Sequence, residues 1–273
     1  MPEGPEIKIS ADKIAGAIEG HPLKSVQIEW PALKAWQKEL SQCSVLSVKP
    51  RSKAMLITFD NQMTLYSHNQ LYGVWYVRRN GVEPKTNRSL RLALQGPEKT
   101  AWLYSATDIY LLDPDELAQQ PYLNKLGPDV LDDTVTVEDI LAQYTDKRFQ
   151  RRRLTTLLLD QGFLAGLGNY LRSEILYVAG VPIDYRPADC SPEQLQKLAQ
   201  ASLDLPRQSY ETGGVTYFLE DAMALKASGK PRSAYRFHVF ARAGNPCRTC
   251  GTKVIKTMAS NRRIYYCPRC QSA

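Results

Sequence analysis

A chain of 273 residues carrying a net charge of +7 is long enough for one large domain or two ordinary ones. No apolar run is long enough to span a bilayer. No basic-then-apolar signal is visible at the N-terminus, so a cytoplasmic, nucleoid-associated bacterial protein is expected. The first residues read Met1-Pro2-Glu3-Gly4-Pro5-Glu6. A small residue at position 2 lets the initiator Met1 be removed, which leaves Pro2 as a free secondary amine. An α-amino group has a pKa of about 7.7–8.0, against about 10.4 for lysine. Part of it is therefore unprotonated near neutral pH and able to form a Schiff base with an electrophilic carbon. Glu3 stands beside it as a proton carrier.

Ile7, Ala11, Ile14 and Ile18 recur at helical spacing, which predicts an amphipathic helix over 5–19, begun by Pro5 and ended at Gly20. Its N-terminus points back at Pro2, Glu3 and Glu6 and favours an anionic ligand. From about 24 to 112 the pattern changes to short strands: 25–30, 44–48, 54–59, 63–67, 74–78, 90–94 and 100–105. Turn signals such as Asp60-Asn61 and Asn80-Gly81 separate them, as in a sandwich or barrel. Lys53 lies between two of these strands, where most lysines are solvated turn residues. The run from His68 to Gly73 follows another strand. An exposed polar, apolar and aromatic triplet there would suit insertion into a base stack. The same pattern is also met by a hairpin turn with Leu71 and Tyr72 packed inward.

Leu126-Gly127-Pro128-Asp129 reads as a hinge, and helices follow it. Thr136-Val137-Glu138-Asp139 and Ser191-Pro192-Glu193-Gln194 are capping-box starts. Between them, a segment at 152–160, a glycine-punctuated turn at 161–169 and a helix at 170–179 make a helix-turn-helix element with an unusually long connection. Gly168-Asn169 at the helix start would offer N–H groups and an amide to phosphate, or Asn169 would serve as a plain helix cap. Positive charge is concentrated late in the chain. Residues 223–273 hold eleven Lys or Arg and no Asp or Glu, while the rest carries 24 basic residues against all 28 acidic ones. Another basic cluster is Lys147-Arg148-Phe149-Gln150-Arg151-Arg152-Arg153. Both suggest contact with a polyanion. Of six cysteines, Cys43 and Cys190 stand alone. Cys247, Cys250, Cys267 and Cys270 form C-x2-C-x16-C-x2-C, a pattern for one structural Zn2+ with closed coordination. A metal there would supply folding energy that so short a segment lacks.

The N-terminal Pro2-Glu3-Gly4-Pro5-Glu6, Lys53 between strands, Leu126-Gly127-Pro128-Asp129, Leu167-Gly168-Asn169-Tyr170 and the terminal four-cysteine finger occur in one order. Together they resemble the formamidopyrimidine-DNA glycosylase/endonuclease VIII family of base-excision repair enzymes, nearly end to end. Ser67-His68-Asn69-Gln70-Leu71-Tyr72-Gly73 is similar to the bacterial endonuclease VIII branch. The resemblance implies an α+β multidomain fold: an N-terminal β-sandwich with an N-terminal helix, and a C-terminal helical helix–two-turn–helix domain with a zinc finger. The expected divisions are 1–125 for the sandwich, 126–132 for a hinge, 133–222 for the helical domain, and 223–273 for the basic segment with its finger. A DNA cleft is expected where the domains join.

The resemblance further implies that Pro2 attacks C1′ of a damaged nucleotide in double-stranded DNA, releases the base and forms an imine. Glu3 acts as general acid and base, Lys53 assists with protons or a flanking phosphate, and Glu6 supports the site. β- and δ-elimination then cut both sides of the abasic site. Asn169 and Arg262 hold phosphate, and Gln70, Leu71 and Tyr72 fill the stack. Oxidised pyrimidines are the favoured lesions and a monomer is expected. Residues 212–230 depart from this pattern, because Gly213-Gly214-Val215-Thr216 is similar to the purine-directed branch. Oxidised-purine preference is therefore an alternative, and a non-catalytic zinc-finger protein that binds DNA lesions is another.

Overall fold

The computed structural model describes residues 2–272, so the expected removal of Met1 lies outside the described residues. The chain divides into two compact units, Met1–Lys125 and Leu126–Ala273. The first unit opens with helix α1 (Gly4–Ile18), one residue earlier at each end than the periodicity predicts. Its apolar stripe of Ile7, Ala11, Ile14 and Ile18 is buried. Gly20, just past its end, has φ +75°, a left-handed conformation that glycine adopts without a Cβ penalty.

Eight strands build two antiparallel four-stranded sheets. One has the order β2 (Val45–Arg51), β3 (Ala54–Phe59), β4 (Thr64–His68) and β8 (Asp108–Leu112). The other runs β1 (Ser25–Ile28), β6 (Leu90–Gln95), β7 (Lys99–Tyr104) and β5 (Val74–Arg79). Met55, Ile57, Phe59 and Leu65 of the first sheet join Leu92, Leu94, Ala101 and Leu103 of the second and the stripe of α1 in one core. This is the expected sandwich. Several elements of this unit lie outside the sequence expectation, among them the two that follow and the short helix after the sheets. β8 alternates buried Ile109 and Leu111 with more accessible neighbours over only five residues, a run too short to announce itself beside the acidic Asp108. A 3-10 turn at Pro31–Trp36 runs into the one-turn helix α2 (Gln37–Leu40), where Leu33 and Leu40 reach the same core. The short helix α3 (Pro114–Ala118), capped by Asp113 Oδ1 accepting from Glu116 N at 2.8 Å, follows the sheets.

The second unit packs α4 (Val137–Thr145), α5 (Leu154–Leu157), α6 (Asn169–Val178) and α7 (Pro192–Glu211) around a separate apolar core. Thr136 and Ser191 cap α4 and α7 as their sequences predict, accepting from Asp139 N at 3.3 Å and Gln194 N at 3.2 Å. The segment 152–160 yields only one helical turn. Arg153 is extended before it, and Arg152 bridges to Asp160 at 2.8 Å, which closes the segment into a loop. Gly127 and Pro128, read as a hinge, dock on the glycine turn through Gly127 N to Gln161 O and Ala165 N to Pro128 O, both 2.9 Å. A Cβ at Gly127 would lie 2.5 Å from Phe163 O, so this close approach requires glycine. Helix α8 (Leu219–Ala227) precedes a two-stranded hairpin, β9 (Ile255–Ala259) and β10 (Arg262–Tyr266). No helix among the described residues is long and apolar enough to cross a membrane.

Candidate active site and nucleic-acid interface

In the first unit the residues singled out in sequence lie at the start of α1 and at one end of the β3–β4 pair. Pro2 is half-buried, and Glu3 is only 3% exposed although it carries a carboxylate. Glu6 turns back on the helix start, its Oε2 accepting from Glu3 N at 3.0 Å. This fixes the backbone on which Pro2 and Glu3 sit.

Lys53 ends the tight turn between β2 and β3. It is 7% exposed, so it is not the solvated turn lysine that sequence statistics favour. The preceding Ser52 holds φ +58°, a costly conformation for a non-glycine residue. The Tyr122 hydroxyl supports that conformation, sharing a 3.0 Å hydrogen bond with Ser52 Oγ and accepting from Lys53 N at 3.3 Å. The ring of His68 meets Tyr122 edge-on at 5.0 Å. Tyr122 carried no signal in the sequence, because its contact with Lys53 spans 69 positions.

The antiparallel register pairs Ala54 with His68, so Lys53 and Asn69 leave the same end of the sheet side by side. The loop after His68 is held from behind. His68 Nδ1 accepts from Gln70 N at 3.2 Å, Gly73 N donates to Asn69 O at 2.7 Å, and an Arg88 Nη1 hydrogen bond reaches Tyr72 O. A Cβ on Gly73 would lie 2.7 Å from Asn69 O, so only glycine closes this turn. Burial pushes the His68 pKa down and Lys53 nearby adds to this, while Asp108 opposes them, so the ring favours the neutral form that can accept from Gln70 N. Gln70 has φ +46°. At the tip, Leu71 and Tyr72 are 66% and 69% exposed. The inward-packed hairpin is therefore wrong. Two large apolar side chains stand in solvent on a loop whose backbone is fixed.

In the second unit α6 is a spine with a different task on each turn. Asn169 is its first residue but makes no cap bond; its Nδ2 donates instead to Arg263 O of β10 at 2.9 Å. Glu174 is fully buried and accepts from His238 N, Val239 N, Phe240 N and Thr216 Oγ1 at 2.6–2.9 Å. Four donors compensate the desolvated carboxylate and tie two distant loops to the helix. Tyr177 bonds Cys247 Sγ at 3.2 Å and Thr249 Oγ1 at 2.9 Å. Polar residues on a helix inside an apolar cluster were the available signal for Arg172, Glu174 and Tyr177, and the sequence reading passed over all three.

The four cysteines converge, their sulfurs all within 4.8 Å of one another. The cross-pairs Cys247–Cys270 and Cys250–Cys267 are 3.8 and 3.4 Å apart. A tetrahedron with metal–sulfur bonds of about 2.3 Å places sulfurs ~3.8 Å apart, so this donor set fits a tetrahedral ion. The hairpin beyond the first cysteine pair turns at Ser260-Asn261, with φ +53° and +57°, the pattern of a two-residue I′ turn. Arg262 is exposed on the first position after that turn, opposite Ala259. Asn169 and the Arg262 hairpin are thus brought together. Arg248, between the first two cysteines, stacks 3.9 Å over Tyr217 and reaches Ala234 O, joining the cysteine cluster to the segments before and after α8.

The chain is similar to known proteins along its length. The family described as formamidopyrimidine-DNA glycosylase N-terminal domain matches residues 1–110, and the formamidopyrimidine-DNA glycosylase H2TH domain matches 126–220. Endonuclease 8 of Escherichia coli O17:K52:H18 is 48% identical over 271 residues, covering 99% of this chain and all of that protein. Endonuclease 8 of Shigella sonnei is 47% identical with the same coverage. Among solved structures, Lactococcus lactis Fpg in complex with abasic-site DNA is 18% identical with a TM-score of 0.80, covering 99% of this chain and 100% of that one. The same protein with DNA containing an oxidised pyrimidine gives 18% and 0.81, with both chains covered completely.

Proposed function

Because the chain belongs to the formamidopyrimidine-DNA glycosylase and endonuclease 8 family, and is by that membership a DNA glycosylase and AP lyase of DNA repair, we propose that it excises oxidised bases, pyrimidines foremost, from double-stranded DNA through a Schiff base on Pro2. The observation that carries this reading is the fixed loop presenting exposed Leu71 and Tyr72 beside the buried Lys53. Excision needs the target nucleotide outside the stack, and side chains standing free of the protein can fill the hole it leaves.

The chemistry follows from the residues. The Pro2 nitrogen lone pair attacks C1′ of the everted nucleotide, and the damaged base departs with the electrons of the glycosidic bond and takes up the proton that the Pro2 nitrogen gives up. Glu3 delivers a proton to O4′ of the sugar, the ring opens, and nitrogen and C1′ share an iminium. That iminium is an electron sink, so a C2′ proton becomes acidic and its removal expels the 3′ phosphate. The new C2′=C3′ double bond extends the sink to C4′, whose proton is removed as the 5′ phosphate leaves, and water then releases the sugar remnant and regenerates Pro2. Lys53 serves as proton carrier or as a cation for a flanking phosphate. Its burial in a turn held by Tyr122 limits its freedom, which suits a group required at one point. Glu6 holds the helix start that carries Pro2 and Glu3.

Asn169, at the helix start, and Arg262, on the hairpin tip, form the phosphate grip. An N-terminal helix dipole and an exposed guanidinium both favour an anion. A zinc ion held by Cys247, Cys250, Cys267 and Cys270 supplies folding energy to the hairpin and no bond-breaking, since four thiolates leave no open position. Pyrimidine preference rests on the Gln70-Leu71-Tyr72 wedge, and a single asymmetric site suits a monomer.

Borohydride reduction during reaction with duplex DNA containing an oxidised pyrimidine should trap a covalent adduct on Pro2, located by peptide mass. The Pro2→Gly variant, which keeps an amine, should retain some trapping, and a chain that keeps Met1 should trap none. Protein shown to begin at Pro2 that traps on no oxidised base and on no abasic site would sink the proposal.

A further inference from the structure

Arg172 lies on α6, three residues after Asn169, and is 0% exposed. Its guanidinium donates from Nη1 to Thr155 O at 2.9 Å and Ala259 O at 3.2 Å, and from Nη2 to Asn169 Oδ1 at 2.8 Å and Arg263 O at 3.2 Å. The acceptors belong to α5, to both strands of the hairpin between the two cysteine pairs, and to the first side chain of α6. A guanidinium is planar and holds its donors in a fixed fork, so these bonds set the relative positions of all three segments. A 2.7 Å hydrogen bond between Thr156 Oγ1 and Ser260 Oγ ties the hairpin turn to α5 at the same place.

The arrangement also decides which way the Asn169 amide faces. Arg172 can only donate, so the amide oxygen must point to it. The nitrogen then meets Arg263 O, an acceptor. A reversed amide would set donor against donor and oxygen against oxygen. The second Nδ2 proton is left without either of these partners on a half-exposed residue.

We infer that Arg172 is a positioning residue that locks the Asn169 amide and the Arg262 hairpin turn into one rigid phosphate-binding unit, so that neither grips DNA independently of the other. This rests on the phosphate role given to Asn169 and Arg262 above and adds a group that never touches DNA. Arginine is needed because a lysine ammonium cannot span four acceptors in two directions.

The test measures affinity for duplex DNA carrying a tetrahydrofuran abasic analogue, for the full chain and for Asn169→Ala, Arg262→Ala, Arg172→Lys and the double variant Asn169→Ala/Arg172→Lys. Zinc content and thermal unfolding are recorded for each. Arg172→Lys should weaken binding roughly tenfold, the scale of lost charge-assisted hydrogen bonds. In that background Asn169→Ala should cost almost nothing more. The salt dependence of Arg172→Lys should fall toward that of Arg262→Ala, a loss of about 0.9 in slope. Additive losses with an unchanged salt slope overturn the inference and leave the phosphate role intact. Asn169→Ala and Arg262→Ala both binding as tightly as the parent overturn the phosphate role, and the inference with it. Should Arg172→Lys not fold, the unmutated protein decides. Its Asn169 side-chain amide should show one slowly exchanging proton and one fast one by NMR, and two fast protons overturn the clip.

Discussion

The loop at residues 69–73 and the helix α6 solve opposite problems. The loop presents apolar side chains to solvent and spends its polar groups behind them: His68, Asn69 O and Arg88 hold the backbone while Leu71 and Tyr72 stand free. Helix α6 buries its charged groups and exposes little. Arg172 and Glu174 are both inaccessible and each is met by four partners. In the first region the functional atoms are at the surface, and their support is backbone, the His68 ring and the exposed guanidinium of Arg88. In the second the support is ionic and buried, where removal of one partner leaves groups that water cannot reach. A side chain that acts by inserting must be free, whereas one that holds others must be enclosed.

That contrast can be broken first at Glu174. Glu174→Ala should destabilise the second unit by about 3 kcal/mol, because three backbone N–H groups and the Thr216 hydroxyl lose a shared acceptor. Calorimetry should show a lowered transition while the first unit keeps its own, and an unshifted melting profile would contradict the anchor role. Leu71→Ala and Tyr72→Ala should behave in reverse. Each should leave thermal stability within ~0.5 kcal/mol. Each should weaken binding to lesion-bearing duplex roughly tenfold, the scale of losing one stacked group. A loss of stability without a loss of affinity would show that these side chains pack rather than insert.

The smallest effect concerns His68. Burial holds its pKa below the ordinary value of about 6.5. The unfolded chain therefore takes up the proton first as pH falls, and stability is lost from about pH 6.5 downward to the lower folded pKa. Above that window both states are neutral and the term vanishes. His68→Asn keeps an acceptor for Gln70 N but removes the titration, so its melting temperature should fall less steeply below pH 6.5 than that of the parent. Parallel curves would show that the histidine does not carry this dependence.

Much of the fold was legible because its signals are local. The apolar stripe of α1, the caps at Thr136 and Ser191, and seven of the eight sandwich strands each declare themselves within a few residues. The failures share a cause. β8 is five residues long, too short for its alternation to stand out. The segment 152–160 holds good helix formers, but an extended Arg153 and the Arg152–Asp160 bridge override that propensity. Leu71 and Tyr72 have the composition of a packed hairpin, and only the turn pinned by Gly73 keeps them outside.

Sequence alone therefore determined the chemistry available: an amine at Pro2 once Met1 is gone, a carboxylate beside it, four cysteines at metal spacing, and a basic C-terminal stretch. Each depends on residue type and on spacing along the chain. Tertiary structure decided which groups are held and which are free. The turn that carries buried Lys53 is held by a tyrosine 69 positions away, and Asn169 is oriented by Arg172 against a hairpin carbonyl 94 positions on. Such contacts follow from how sheets and helices pack into a core, and no local periodicity carries that information.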